Sequence, residues 1–205
     1  MLKTLSMAGF ASAIAVLAPV AVEAASFSYF SELNGMNEVP ANDSTATGLV
    51  TGSLVGDPDS WEFTYDVSFS GLAAELILAH IHLSAMPDGV PFTQQTGPVV
   101  HDLNNAPVNT GVTSGSFAGS WTAADVTAAG VNPSVVYNRF LAGQYYFNLH
   151  SNTPEFAAPG EIRGQIEFDE DAATVPEPAT GLALMSAAAL GLTVSRRRKE
   201  SLVAG

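Results

Sequence analysis

The chain has no cysteine, which excludes disulfide frameworks, thiolate-bound zinc, iron–sulfur clusters and a thiol nucleophile together. Any metal it holds must use His, Asp or Glu. Basic residues are nearly as scarce: of its seven, Lys3, Arg196, Arg197, Arg198 and Lys199 lie at the two ends, leaving only Arg139 and Arg163 between. From Ser26 to Asp171, seventeen acidic residues stand against those two arginines, a field that argues against binding nucleic acid. A nucleophile elbow, a phosphate-binding loop and a His-Glu-x-x-His stretch are all missing, so the common hydrolase and nucleotide-binding signatures are not available. The Asp-Pro-Asp and Asp-Glu-Asp runs lack the spacing of an EF-hand loop. What is present is a chain of 205 residues, 47% hydrophobic and 13% charged, which is one domain with a packed core rather than a disordered polymer.

The two ends carry addresses. Lys3 in a short polar start, an apolar run from Met7 to Leu17 and the small residues ending Val22-Glu23-Ala24 form a secretory signal peptide over 1–24, with signal peptidase cutting after Ala24. At the other end, Val175-Pro176-Glu177-Pro178 precedes an uncharged stretch from Ala179 to Ser195 and then the cluster Arg196-Arg197-Arg198-Lys199. A helix of that length reaches about 26 Å, the short end of what crosses a hydrocarbon core, and the basic cluster should stay cytoplasmic. Residues 170–178 are therefore linker and Pro-Glu-Pro motif, and 179–199 a transmembrane helix with a basic tail.

Between them the pattern has period two. Trp61, Phe63, Tyr65, Val67 and Phe69 alternate with Glu62, Thr64, Asp66, Ser68 and Ser70, which is a strand with one buried and one wet face. Gly56-Asp57-Pro58-Asp59 makes the preceding turn, joining Thr47–Val55 to that strand as a hairpin with a moderately long loop. Further strands are expected at 27–33, 76–83, 99–103, 115–121, 144–150 and 161–168. Thr122-Ala123-Ala124-Asp125 resembles a capping box, and Pro133 to Leu141, closed by Gly143, has room for two helical turns. The expected fold is all-β: an antiparallel sandwich or barrel of about eight strands over 26–169, with short helical connectors and one C-terminal transmembrane helix.

Two resemblances rest on these residues. The Val-Pro-Glu-Pro motif, the Ala/Gly/Leu-rich segment and the terminal arginine cluster resemble the PEP-CTERM sorting signal of Gram-negative bacteria. That resemblance implies an inner-membrane-anchored precursor, cleavage by an exosortase near Pro176, Glu177 and Pro178, and delivery to the cell surface or an extracellular polysaccharide matrix. In the middle, Leu33-Asn34-Gly35 with Glu38-Val39-Pro40, then Ala46-Thr47-Gly48, Ala79-His80-Ile81-His82, Tyr146-Phe147-Asn148-Leu149-His150 and Pro159-Gly160-Glu161-Ile162-Arg163-Gly164-Gln165-Ile166 resemble the successive landmarks of a CHRD domain. That family takes its name from chordin, an extracellular binder of growth factors. The resemblance implies extracellular β architecture and little chemistry.

His80 and His82 stand two apart on an expected strand, so their side chains leave the same face with Cα atoms about 7 Å apart. Two imidazoles so placed can converge on one ion. His150, on one face with Tyr146 and Asn148, is the third candidate ligand, and His101 a weaker fourth. An all-histidine set suits zinc or copper in a thiol-free exported protein. The His-x-His spacing is similar to the ligand pair of copper–zinc superoxide dismutase, by analogy only. A polar layer in which these rings hydrogen-bond to neighbours such as Asn148 fits the same spacing. On the last strand, Glu161, Arg163 and Gln165 are expected on an exposed face, with Arg163 paired to Glu38 or Glu161. Two function classes follow: a non-enzymatic surface or matrix protein that binds extracellular polysaccharide or surface proteins, or a small copper or zinc protein with dismutase-like redox activity.

Overall fold

The computed structural model describes residues 24–85, 89–103 and 111–168. Eight strands lie at Ala25–Asn34 (β1), Thr47–Asp57 (β2), Ser60–Ser70 (β3), Leu76–Leu83 (β4), Val99–Asp102 (β5), Gly115–Thr122 (β6), Tyr145–Ser151 (β7) and Ile162–Gln165 (β8). They form one sheet in the order β5-β4-β7-β8-β1-β2-β3-β6, antiparallel at every pairing. A single sheet that curls until its edges approach is a barrel, so the sandwich alternative falls. Closure is nearly complete. Between the edge strands, the ring of His101 on β5 stacks on Trp121 of β6 with centroids 5.0 Å apart.

The core fills the barrel. On β3 the expected alternation holds, with Trp61, Phe63, Tyr65, Val67 and Phe69 buried and the residues between them wet or half-wet. They meet Tyr29 and Leu33 of β1, Val50 and Leu54 of β2, Ala79 and Ile81 of β4, and Tyr145, Phe147 and Leu149 of β7. Gly52 belongs to this packing: a Cβ there would strike the Thr64 carbonyl on the neighbouring strand. Helix α1 (Ala123–Ala128) starts with the expected capping box, Thr122 and Asp125 each bonding the other's backbone N–H. Helix α2 (Pro133–Leu141) drops Phe140 onto Phe63 at 4.4 Å, and the Trp61 indole donates to the Pro133 carbonyl.

Two local expectations need correction. The β2–β3 hairpin has no moderately long loop: Asp57 pairs with Ser60 across the two residues Pro58 and Asp59. The cause is the Asp57 carboxylate, which accepts the backbone N–H groups of both Asp59 and Ser60 at 3.0 Å and tightens the turn. The last strand has no exposed face either. Glu161 and Arg163 are 0% and 1% exposed, because the segments 35–46, 89–98 and 152–161 fold over the outside of β4, β7 and β8. The expected span over 179–195 lies outside the described residues.

Candidate metal centre

Strand β7 is buried at all seven positions. Its inward residues join the core, and Tyr146, Asn148 and His150 point outward beneath the covering segments. On β4 the same alternation sends Ala79 and Ile81 inward and His80 and His82 outward. The two strands are neighbours, with His80 opposite Asn148, His82 opposite Tyr146 and Leu78 opposite His150. A diagonal step therefore brings His150 to His80. The His80 Nδ1 and His150 Nε2 atoms are 3.3 Å apart, and the three rings are separated by 5.5, 5.1 and 6.2 Å between centroids. One nitrogen from each ring can be chosen so that all three lie within 4.8 Å of one another.

The surroundings set the tautomers. The Nδ1 of His82 is 2.9 Å from the Gly97 carbonyl oxygen, which can only accept, so Nδ1 carries the proton and Nε2 the lone pair. That Nε2 is buried and has no hydrogen-bond partner. The His82 ring stacks on Tyr146 at 5.1 Å, and the Arg163 guanidinium lies 3.5 Å from the centroid of the same tyrosine. His150, 4% exposed, turns its Nδ1 toward the backbone at Phe156 and Ala157 without a hydrogen bond of ordinary geometry. Burial lowers the pKa of all three imidazoles. For His150 the value falls to about 4, with His80 and His82 adding to the effect of burial. Asp102 partly opposes the loss at His80, and the Gly97 carbonyl does so at His82. At neutral pH the three rings are neutral and keep lone pairs to offer.

Strand pairing thus assembles the sequence-expected trio of His80, His82 and His150, with β4 and β7 adjacent. His101 is not among them. Opposite Ile81 on β5, it faces inward and packs on Trp121 and Tyr65. Asn148 does not support a histidine: its Nδ2 donates to the Pro159 carbonyl. The outer partner is the Gly97 carbonyl, which no sequence motif marks. A Cβ at Gly97 would run into the Leu83 carbonyl, so the close approach that seats His82 needs glycine.

Among the described residues, Arg163 has no carboxylate salt bridge. Its Nη1 donates to the Gln95 carbonyl at 2.7 Å, and its Nη2 to the Phe92 carbonyl and to Gln165 Oε1. Glu161 instead accepts from the Ser44 hydroxyl and the Ala73 backbone N–H. Glu38 is 8% exposed, and burial lifts its pKa to about 7 against the opposing pull of Arg163 and the Val39 N–H. It borders a cavity of about 640 Å³ shared with Arg163, Gln165 and Phe30. Ala24 is the first described residue, and Pro176, Glu177, Pro178, Arg196, Arg197 and Arg198 lie outside the described residues.

With the geometry in hand, residues 29–166 match the model of the CHRD domain, and residues 174–199 match that of the PEP-CTERM protein-sorting motif. No curated protein and no solved structure matches.

Proposed function

This chain belongs to the CHRD domain family and carries an exosortase sorting signal, and on that footing we propose that it is a non-enzymatic binding or structural component of the cell surface or extracellular matrix. The observation that carries this reading is that a near-closed barrel, described to Phe168, is followed in the chain by a sorting motif beginning at residue 174. The motif makes the chain an exported, exosortase-processed surface protein. The finer steps are signal peptidase cleavage after Ala24, transient anchoring by a helix over 179–195 with Arg196, Arg197 and Arg198 inside, cutting near Pro176-Glu177-Pro178, and release to surface polysaccharide or surface proteins.

Mass spectrometry of the mature protein, with fractionation of cells with and without exosortase, tests this sequence of events. We expect a mature N-terminus at Ala25 and loss of Arg196 to Lys199 only where exosortase is active. An intact Met1, or a basic tail retained in cells with a working exosortase, would overturn it. A second reading, a copper or zinc protein with dismutase-like redox activity, is favoured by one observation, the convergence of the three histidines.

A further inference from the structure

The three imidazoles present a counting problem that hydrogen bonding alone does not solve. Three neutral rings carry three N–H donors and three lone pairs. The His82 donor goes to Gly97, and one N–H is shared between His80 and His150 at 3.3 Å. That leaves the His82 Nε2 lone pair buried with no donor, and His150 Nδ1 also unpartnered. A buried polar atom without a partner costs about 1–3 kcal/mol. Water is a poor remedy, because both atoms have essentially no accessible surface. An ion needs less room, only the gap between the rings.

We infer that His80 through Nδ1, His82 through Nε2 and His150 through Nε2 bind one late first-row divalent ion, zinc or copper, with the Gly97 carbonyl as the outer partner that holds His82 in its ligating tautomer. This deepens the second reading above to a site with assigned atoms, and leaves its redox activity aside. Bonds of about 2.0–2.1 Å in a tetrahedron place neighbouring nitrogens about 3.3 Å apart, the separation already found between His80 and His150. One nitrogen from each ring can be chosen so that the widest separation is within 4.8 Å, so drawing three such nitrogens onto one ion takes no more than about 1.5 Å of ring movement. Neutral nitrogen donors with no thiolate and no carboxylate in the set select zinc or copper over magnesium and calcium. Three protein ligands leave a fourth position for water or an incoming anion. The His82-to-Gly97 contact is the hydrogen bond that the other ring nitrogen of such a ligand normally makes, fixing tautomer and ring plane.

The test uses the full mature chain, stripped with a chelator, and titrates zinc and copper(II) separately by calorimetry. One ion per chain is expected, with magnesium giving no heat of binding. X-ray absorption of the loaded wild-type protein should count three imidazole nitrogens near 2.0 Å for zinc, a readout that needs no variant to fold. His82→Gln, at a half-buried position, should weaken binding at least 100-fold with an unchanged circular dichroism spectrum. Gly97→Ala, which displaces the carbonyl, should weaken it about tenfold, and His101→Gln should leave it unchanged. Absence of binding at micromolar metal, fewer than three imidazoles in the absorption spectrum, or full affinity in a folded His82→Gln protein each overturns the site. The outcome is independent of delivery to the surface, which is read in cells rather than on purified protein.

Discussion

Strands β1, β2, β3 and β6 form one half of the barrel and β5, β4, β7 and β8 the other, and the halves treat their outer faces in opposite ways. On the first half the outside is bare. One row runs Phe30, Thr51, Asp66 and Ala118 across the strands, and the next Ser28, Ser53, Thr64 and Ser120, short polar side chains for the most part, open to water. On the second half the outside carries His80, His82, Tyr146, Asn148, His150 and Arg163 under three covering segments. Every unpartnered buried side-chain atom among the described residues belongs to the second half or its cover: Glu38 Oε1, His82 Nε2, Asn148 Oδ1, His150 Nδ1, Ser151 Oγ and Glu161 Oε2. A sheet can satisfy polar side chains at no cost by leaving them in water. Burying them demands partners one by one, and among the described residues this half is where that demand is not fully met.

The largest expected difference between the halves is at Arg163. Replacing it by Met removes the donors to the Gln95 and Phe92 carbonyls and strips Tyr146 of its cover. Hydrogen bonds from a charged group contribute more than neutral ones, so losing three of them from a buried site, to the Gln95 and Phe92 carbonyls and Gln165 Oε1, should cost about 4 kcal/mol in urea unfolding. Glu62→Gln on the bare half should stay within about 0.5 kcal/mol. A loss below about 1 kcal/mol for Arg163→Met would break the comparison, because the cover would then not depend on the charge beneath it.

The covered half should also govern how stability depends on pH. Glu38 titrates near 4.5 when unfolded and about 7 when folded. The folded state therefore holds the extra proton between those values, and this group makes stability fall as pH rises through that window. His150 goes the other way, from 6.5 unfolded to about 4 folded, so it makes stability rise with pH between about 4 and 6.5, and the lowered pKa values of His80 and His82 act in the same sense. The opposing slopes partly cancel in the metal-free wild type. Glu38→Gln should leave the histidine slope alone, a gain on the order of 3 kcal/mol from pH 4 to 6.5. His150→Gln should steepen the decline toward pH 7. Denaturation midpoints across that range, taken with chelator, check both signs. Parallel profiles in the two variants would refute the assignment.

How far the sequence could be read divides along the same line. All eight strands, both short helices and the Thr122 capping box were legible, because each is a local pattern: alternation on β3, a Pro at the start of α2, a threonine three residues before an aspartate. The histidine trio was legible as well, since His80 and His82 share a face by period two and only the pairing of β4 with β7 remained to be found. The burial of Arg163 and Glu161 was not. Gln165 and Glu161 alternate with Ile162 and Ile166 in the manner of a wet edge, and nothing local says that residues some 70 positions earlier will fold across them. Backbone carbonyls carry no side-chain signature, so Gly97, Gln95 and Phe92 were invisible as partners. The tightness of the β2–β3 turn is hidden for a related reason: it rests on a side-chain oxygen of Asp57 whose bonds composition alone does not reveal.

The smallest expected effect tests whether the bare half is as permissive as it looks. Asp66 sits mid-strand on β3, exposed, between Thr51 and Ala118. Aspartate is among the residues least suited to a strand, whereas threonine packs well on a pleated surface and can pair with Thr51 across the β2–β3 ladder. The substitution also removes one negative charge from a strongly acidic domain. Asp66→Thr should therefore stabilise the chain by about 0.5 kcal/mol, read as a small rise in the urea midpoint at unchanged slope. The gain should shrink little in high salt if strand packing dominates, and largely vanish if relief of charge repulsion does. A loss of stability would mean that Asp66 has a partner on this face, and that the bare half is not simply a solvated surface.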